Sequence, residues 1–298
     1  MIDASETFGG TWPFEPRFFE GNGFRMHYVD EGKGDAIVCL HGEPTWGYLY
    51  RHFIPPFSAS HRVIVPDHVG FGKSETPQGR EYSLKAHVDN FTGLIEALDL
   101  TNITLVLQDW GGLIGSAFAL RNSNRVRRLF LLNTLTGYGN APPGLTPWFQ
   151  FILKHHQAGT LGEVLGHLDV NILGIMKTQG LENLSVVDSN WLAAYRSAFP
   201  TKEDCVGAIE FPLDALLGRI SPYLKEGFPL LQNLKSKPAM LAVGMKDRAI
   251  APESQISDFK AIWPKGPVIK LPNAGHFSQE DATDTVIALI ELFIQSTE

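Results

Sequence analysis

The sequence predicts an α/β fold, with a mostly parallel central sheet, helices on both faces and an inserted helical cap. Three observations carry this reading. Short β-prone runs alternate with helical ones through residues 1–134, strand-like runs vanish over 135–218, and the alternation resumes over 219–298. Alternating strands and helices imply βαβ units and hence parallel pairing. A contiguous core split by a helical insertion accounts for the gap more simply than two independent domains.

The elements follow in order. Phe24 to Val29 and Ala36 to Leu40 read as strands joined through the Gly32-Lys33-Gly34-Asp35 turn. Arg62 to Val65 reads as another, stopped by Pro66. Leu84 to Leu98 is helical, with Leu84, Val88, Phe91, Leu94, Ile95 and Leu98 on one face. Ile103 to Leu107 and Val126 to Leu132 are strands, with a helix-compatible run, Leu113 to Leu120, between them. Ala141-Pro142-Pro143-Gly144 opens the insertion and Phe211-Pro212 lies near its end. Its helical segments are Trp148 to His155, Gly162 to Leu173 and Ser189 to Phe199. Strands at Ala239 to Val243 and Val268 to Leu271 then alternate with helices near Glu253 to Ile262 and Ala282 to Ile294.

Composition narrows the function. The chain has 298 residues, 44% hydrophobic and 19% charged, as an ordinary soluble globular protein has. A net charge of -7, with both signs dispersed, argues against nucleic-acid or anionic-membrane partners. Cys39 and Cys205 are too few for a disulfide framework or a cysteine-rich metal site, and Cys39 sits inside an apolar strand. Asp3, Glu6 and Pro13 stand where a signal peptide needs an apolar run. The apolar stretch Trp110 to Leu120 falls short of the roughly 18 residues of a membrane span. These features lead us to expect a cytoplasmic protein.

The chemistry centres on Gln108-Asp109-Trp110-Gly111-Gly112. A strand ends abruptly there and a helix begins, with a carboxylate at the apex. The α/β-hydrolase fold mounts its nucleophile on such an elbow, usually as serine. A carboxylate with a reference pKa of roughly 3.9 is already ionised at neutral pH and needs no base to attack. It suits displacement at an alkyl carbon, giving an ester that water later cleaves. Taken singly, Asp109 reads as a helix N-cap, Asp247 as a turn aspartate and His276 as a loop histidine. Together they stand after successive strands in the order nucleophile, acid, histidine that elbow enzymes use. His41-Gly42-Glu43-Pro44-Thr45-Trp46 follows the Ala36 to Leu40 strand, where this fold draws an oxyanion-hole N–H. The backbone N–H groups of Glu43 and Trp110 would supply the pair. Gly72-Lys73-Ser74 is no phosphate loop, because Asp67 stands where the motif's first glycine belongs. His155-His156 has no partner at metal-ligand spacing, so no metal is expected.

These motifs resemble the haloalkane dehalogenases. Gln-Asp-Trp-Gly-Gly at the elbow and His-Gly-Glu-Pro-Thr-Trp at the oxyanion loop match most closely. Gly-Met-Lys-Asp at 244–247, Gly-His-Phe at 275–277 and Ala193-Ala194-Tyr195-Arg196 through Phe199-Pro200 also resemble the family. The resemblance implies a reaction without cofactor. Asp109 would displace halide, and His276, oriented by Asp247, would direct water onto the ester. It also implies that the Trp110 indole N–H binds the halide, an indole being a donor with an apolar body. Fluoroacetate dehalogenases resemble Asp-Arg-Gly-Gly instead, so Trp110 favours an uncharged haloalkane.

Many members carry asparagine at the position of Glu43, whose side chain is expected to turn out of the site. The second halide donor is then expected to be a cap tryptophan, Trp148, with Trp191 as the alternative. Two other classes share the fold. Epoxide hydrolases need two cap tyrosines, for which Tyr138, Tyr195 and Tyr223 are available, and a catalytically silent hydrolase fold would bind a ligand only. The expected partners are a small halogenated alkane, water and halide, with the chain a monomer or weak homo-oligomer.

Overall fold

Eight strands pair into one sheet: β1 (Arg17–Gly21), β2 (Phe24–Gly32), β3 (Ala36–Leu40), β4 (Arg62–Pro66), β5 (Ile103–Gln108), β6 (Val126–Leu132), β7 (Ala239–Gly244) and β8 (Val268–Leu271). This computed structural model describes residues 2–21, 23–141 and 146–297. Pro142, Pro143 and Gly144, expected to open the insertion, lie outside the described residues. The spatial order is β1-β2-β4-β3-β5-β6-β7-β8. β2 runs antiparallel to β1 and β4, and every pairing from β4 through β8 is parallel.

β3, β5 and β7 are buried along their whole length, as strands covered on both faces must be. Their sequences are accordingly mostly apolar rather than alternating, with Thr104 and Gln108 of β5 the exceptions. The helices Leu84–Ala97 and Trp110–Arg121 pack against the sheet and each other. The expected elements of the core are present with ends shifted by up to three residues. β1 was not anticipated: Arg17 to Gly21 alternates weakly and is only half-buried at the sheet edge.

Between β6 and β7 all described secondary structure is helical. The expected single helix Gly162 to Leu173 is instead broken. A short turn, Leu161–Val164, passes through a tight turn at Leu165–His167 into the helix Leu168–Gln179. Pro212, read as a marker near the end of this region, sits inside the helix Val206–Leu216. Helices continue to Lys235, just before β7. No helix among the described residues is long and apolar enough to cross a membrane.

A buried ion pair ties the helical region to the core. Arg51 donates to both oxygens of Glu280, at 2.7 and 2.8 Å. The Tyr195 hydroxyl and Trp191 indole, from the helix Ser189–Arg196, donate to the same carboxylate at 2.9 and 3.2 Å. Because its donors are satisfied together, the cost of burying both charges is offset where a broken pair would be severely destabilising.

The Asp67 to Ser74 turn is structural, as its failed phosphate-loop spacing suggested. Asp67 accepts from the N–H groups of Gly47 and Lys73, both at 2.8 Å, and pairs with His27. Lys73 Nζ is spent on the carbonyls of Ala4 and Glu6. This turn brings His68 against His41, whose Nε2 accepts the His68 N–H at 3.0 Å, and places both near His87.

His87 is buried with neither ring nitrogen bonded among the described residues. Burial, with a lesser contribution from His41, pushes its pKa down to about 3. The unfolded chain takes up this proton below a pH of roughly 6.5. From there down to about pH 3 the unfolded state binds more protons, so stability falls as pH falls. Replacing His87 with leucine is expected to shrink the stability lost between pH 7 and 5 by about 2 kcal/mol, as measured by urea unfolding at both values. An unchanged loss would remove His87 as a source of acid sensitivity.

Candidate active site

The C-terminal ends of five strands converge on one place, where open parallel sheets gather their ligands. β5 runs into Asp109, whose φ of 50° and ψ of -122° lie in a region that L-residues rarely adopt. Asp109 occupies the N-cap position of the helix Trp110–Arg121, but its side chain makes no capping hydrogen bond. The simple N-cap reading therefore fails, and the carboxylate is turned into the site. Neighbouring glycines permit this. A Cβ on Gly111 would fall 2.3 Å from the Leu40 carbonyl oxygen, and one on Gly112 1.8 Å from Thr134 Oγ1. Thr134 Oγ1 in turn donates to the Asp109 carbonyl at 2.5 Å.

Asp109 Oδ1 accepts the backbone N–H of Glu43 at 2.9 Å, and Oδ2 lies 3.4 Å from His276 Nε2. The far nitrogen of His276, Nδ1, lies 3.0 and 3.1 Å from the two oxygens of Asp247. Asp109, His276 and Asp247 are thus brought together in sequence order. Trp110 begins the helix, so its N–H is one of the donors a helix start leaves unpaired.

Two residues beside this trio were missed by sequence reasoning. Asn133 follows β6 with φ 44° and donates from Nδ2 to Asp247 Oδ2 at 2.9 Å. Gln255 Nε2 donates to the same oxygen at 2.8 Å, while Asp247 Oδ1 accepts the N–H groups of Ala249 and Ile250. The available signal was that Asn133 ends a strand aimed at the site. Gln108 was also missed: its side-chain amide lies 3.2 Å from His276 Nε2.

His276 is fully buried. Burial alone disfavours a charged ring, but Asp247 and then Asp109 outweigh it and push its pKa up to about 10. Glu43 departs from expectation. Its carboxyl does not leave the site but is buried beside it, accepting from Gln179 Nε2 at 2.7 Å. Burial, reinforced by the Asp109 charge, raises its pKa well above the usual 4.5 and favours the neutral acid. The bond from Gln179 holds the carboxyl there, so the expected expulsion does not occur.

Asp109, Trp110 and Trp148 line one cavity of about 350 Å³, walled mainly by apolar side chains such as Leu113, Leu135, Phe149, Ile152 and Ile250. Trp110 stacks face to face on Phe211 at 4.3 Å and 7°. Trp148 stacks on Phe151. Trp148 opens the helix Pro147–Gln157, capped by Thr146, and its N–H donates to the Arg248 carbonyl. Trp191 does not reach the cavity, its indole being held by Glu280.

A description of the alpha/beta hydrolase fold matches residues 35–283. Haloalkane dehalogenase 2 of Mycobacterium tuberculosis is 34% identical over 291 residues, which cover 94% of each chain. The chain belongs to the haloalkane dehalogenase family. A tetrameric haloalkane dehalogenase from Paraglaciecola agarilytica shares its fold at a TM-score of 0.78 and 31% identity, over 94% of this chain and 92% of that one. A cis-3-alkyl-4-alkyloxetan-2-one decarboxylase of Shewanella oneidensis is 30% identical over 293 residues, covering 96% of this chain and 90% of its own.

The tyrosines that an epoxide-opening relative would need are placed elsewhere. The Tyr195 hydroxyl donates to Glu280, the Tyr138 hydroxyl accepts from Arg121, and the Tyr223 ring lies under the Arg121 guanidinium. No tyrosine lines the cavity among the described residues.

Gly42 offers a sharp check on this geometry. A Cβ there would fall 2.1 Å from Asp109 Oδ1 and 2.6 Å from its Cγ. Substituting alanine is expected to displace the carboxylate and lower turnover by roughly 10²-fold, since a shift of about 1 Å can cost that much. Thermal unfolding should move far less. Near-normal turnover would mean that Asp109 is not held where the structure places it.

Proposed function

We propose that the protein hydrolyses uncharged haloalkanes to an alcohol, a halide and a proton, through an alkyl ester on Asp109. The observation that carries this reading is one apolar cavity holding both the Asp109 carboxylate and the indoles of Trp110 and Trp148. Neither indole N–H has a hydrogen-bond partner among the described residues, which leaves each available to an anion.

Oδ1 of Asp109 already rests on the Glu43 N–H, so Oδ2 is the oxygen left to attack the halogen-bearing carbon. Halide departs toward the indole donors of Trp110 and Trp148. Alkylation makes Asp109 a neutral ester and so removes one of the two carboxylates that hold the proton on His276. The ring then gives up its proton more readily, at the stage where it must act as base. Neutral His276, its Nδ1–H directed to Asp247, accepts a proton from water as the water oxygen adds to the ester carbonyl. Glu43 and Trp110 N–H groups stabilise the developing oxyanion. Collapse re-forms the carbonyl, and the proton held by His276 passes to the departing alkoxide to give the alcohol. Ionisation of the new carboxyl restores the carboxylate and releases the product proton. Glu43, favoured as the neutral acid, places no charge opposite the halide.

In this reading the region from about 135 to 218 acts as the cap over the site. The chain is read as a cytoplasmic monomer or weak homo-oligomer, which sedimentation of the purified protein would test. A second reading has specific support. The decarboxylase relative is nearly as similar as the dehalogenases, so a cis-3-alkyl-4-alkyloxetan-2-one is an alternative substrate. Side-by-side assays separate the readings: halide release from 1-bromobutane or 1,2-dibromoethane, diol formation from an epoxide, and carbon dioxide release from the oxetanone. Halide release as the dominant activity is expected. Its absence, with efficient decarboxylation, would overturn the proposal.

The halide donors can be tested singly. Trp110→Phe keeps an aromatic ring facing Phe211 and removes the N–H together with part of the indole. By analogy with oxyanion donors, it is expected to slow carbon–halogen cleavage by on the order of 10²–10³-fold and to weaken bromide binding. Trp148→Phe should give the same pattern. Unchanged bromide quenching of fluorescence in Trp148→Phe would return that residue to a packing role.

A further inference from the structure

One short segment of the helical region touches all three loops that would carry the hydrolytic step. The Gln179 carbonyl accepts the Arg248 N–H at 2.9 Å, beside Asp247. The Gly180 carbonyl accepts the N–H of His276 itself, also at 2.9 Å. Gln179 Nε2 reaches Glu43 on the oxyanion loop. Glu182 pairs with Arg248 at 2.6 Å and with Lys246 at 3.6 Å, the residues on either side of the acid.

Asp281 closes this arrangement from the core side. Its Oδ1 accepts the N–H groups of Glu182 and Asn183 at 3.0 and 2.8 Å. Its Oδ2 accepts the Gly275 N–H at 2.7 Å. Consecutive N–H groups of the histidine loop, at 275 and 276, are therefore held by Asp281 and by Gly180. The approach is close enough to demand glycine on both sides. A Cβ on Gly275 would fall 2.1 Å from the Gly180 oxygen, and Gly180, with φ 127°, would place one 2.8 Å from the His276 nitrogen.

We propose that Asp281 and the segment Gln179–Glu182 are positioning residues for the water-attack half of the reaction, setting His276 and Asp247 against the Asp109 ester. This rests on the dehalogenation reading above. Through Asp281 and Glu182 the segment grips the acid and base loops, while carbon–halogen cleavage needs only the carboxylate and the halide donors. Disturbing the segment should therefore divide the two half-reactions. A displacement of His276 by about 1 Å is enough for a loss of around 10²-fold in ester hydrolysis.

The test uses Asp281→Asn and Glu182→Gln in the full chain, with His276→Phe as the reference for a stalled ester. In Asp281→Asn an amide group replaces a carboxylate that accepts three N–H groups. In Glu182→Gln the partly exposed ion pairs are lost and the backbone contacts are kept. Rapid quench with 1-bromobutane should show bromide formation within about threefold of wild type in both. Ester hydrolysis should fall at least tenfold in Asp281→Asn and by a smaller factor in Glu182→Gln, with alkyl-enzyme accumulating by mass spectrometry. A substrate-free readout accompanies this, the low-field proton resonance of His276 Nδ1–H bonded to Asp247, which should shift or broaden in both variants. Equal slowing of both half-reactions, or an unchanged hydrolysis rate and resonance, would overturn the proposal. If Asp281→Asn fails to fold, Glu182→Gln decides by the same criteria. If wild type releases no bromide, the dehalogenation reading fails, and the His276 resonance still decides whether the segment sets the histidine.

Discussion

The unusual backbone of Asp109 is the constraint on which the site depends. A non-glycine residue at φ 50° is held there at a cost of order 1–3 kcal/mol, so its surroundings must enforce it. They do so from three directions. Gly111 and Gly112 let the helix press against the Leu40 backbone and the Thr134 side chain, Thr134 holds the Asp109 carbonyl, and the Glu43 N–H holds its carboxylate. The result is a carboxylate whose Oδ2 faces His276 across 3.4 Å. Relaxing the elbow would let the side chain cap its helix instead, a satisfactory local arrangement with no chemistry.

Around that point the charges are mutually dependent. One imidazole sits between two carboxylates, and a third carboxyl, Glu43, is buried alongside. A buried site does not hold all of these as anions without compensation. The arrangement resolves into an imidazole that binds its proton tightly and a Glu43 that favours the neutral acid. Asp247 is satisfied separately, by Asn133, Gln255 and two backbone N–H groups. None of these four donors belongs to Asp109 or His276.

Much of this was legible in the sequence, for definite reasons. Buried parallel strands such as Ala36–Leu40 and Ala239–Gly244 are continuous apolar runs with sharp ends, and the residues just past those ends are the site. Asp109 and Asp247 could be found because each follows such an end, and His276 because it follows the short edge strand Val268–Leu271. Asn133 follows a strand end as well, but as a neutral amide it carried no chemical signal until its bond to Asp247 was seen. The burial of Glu43 was missed because a charged carboxylate was assumed, and only the fold shows that Gln179 covers it. Contacts such as Asp281 with Gly275 and Glu182 join elements far apart in the chain, where local pattern says nothing. The broken helix at Leu165–His167 and the proline inside Val206–Leu216 likewise depend on packing rather than periodicity.

The central claim is a covalent ester on Asp109, and isotope labelling tests it directly. A single turnover of excess enzyme with 1-bromobutane in oxygen-18 water should leave the label in the Asp109 carboxylate. The butanol should carry unlabelled oxygen taken from the protein. Peptide mass spectrometry across the segment containing Asp109 reads the first, and analysis of the alcohol reads the second. Label appearing in the butanol on the first turnover, with none in Asp109, would mean that water attacks the substrate directly and would contradict the account.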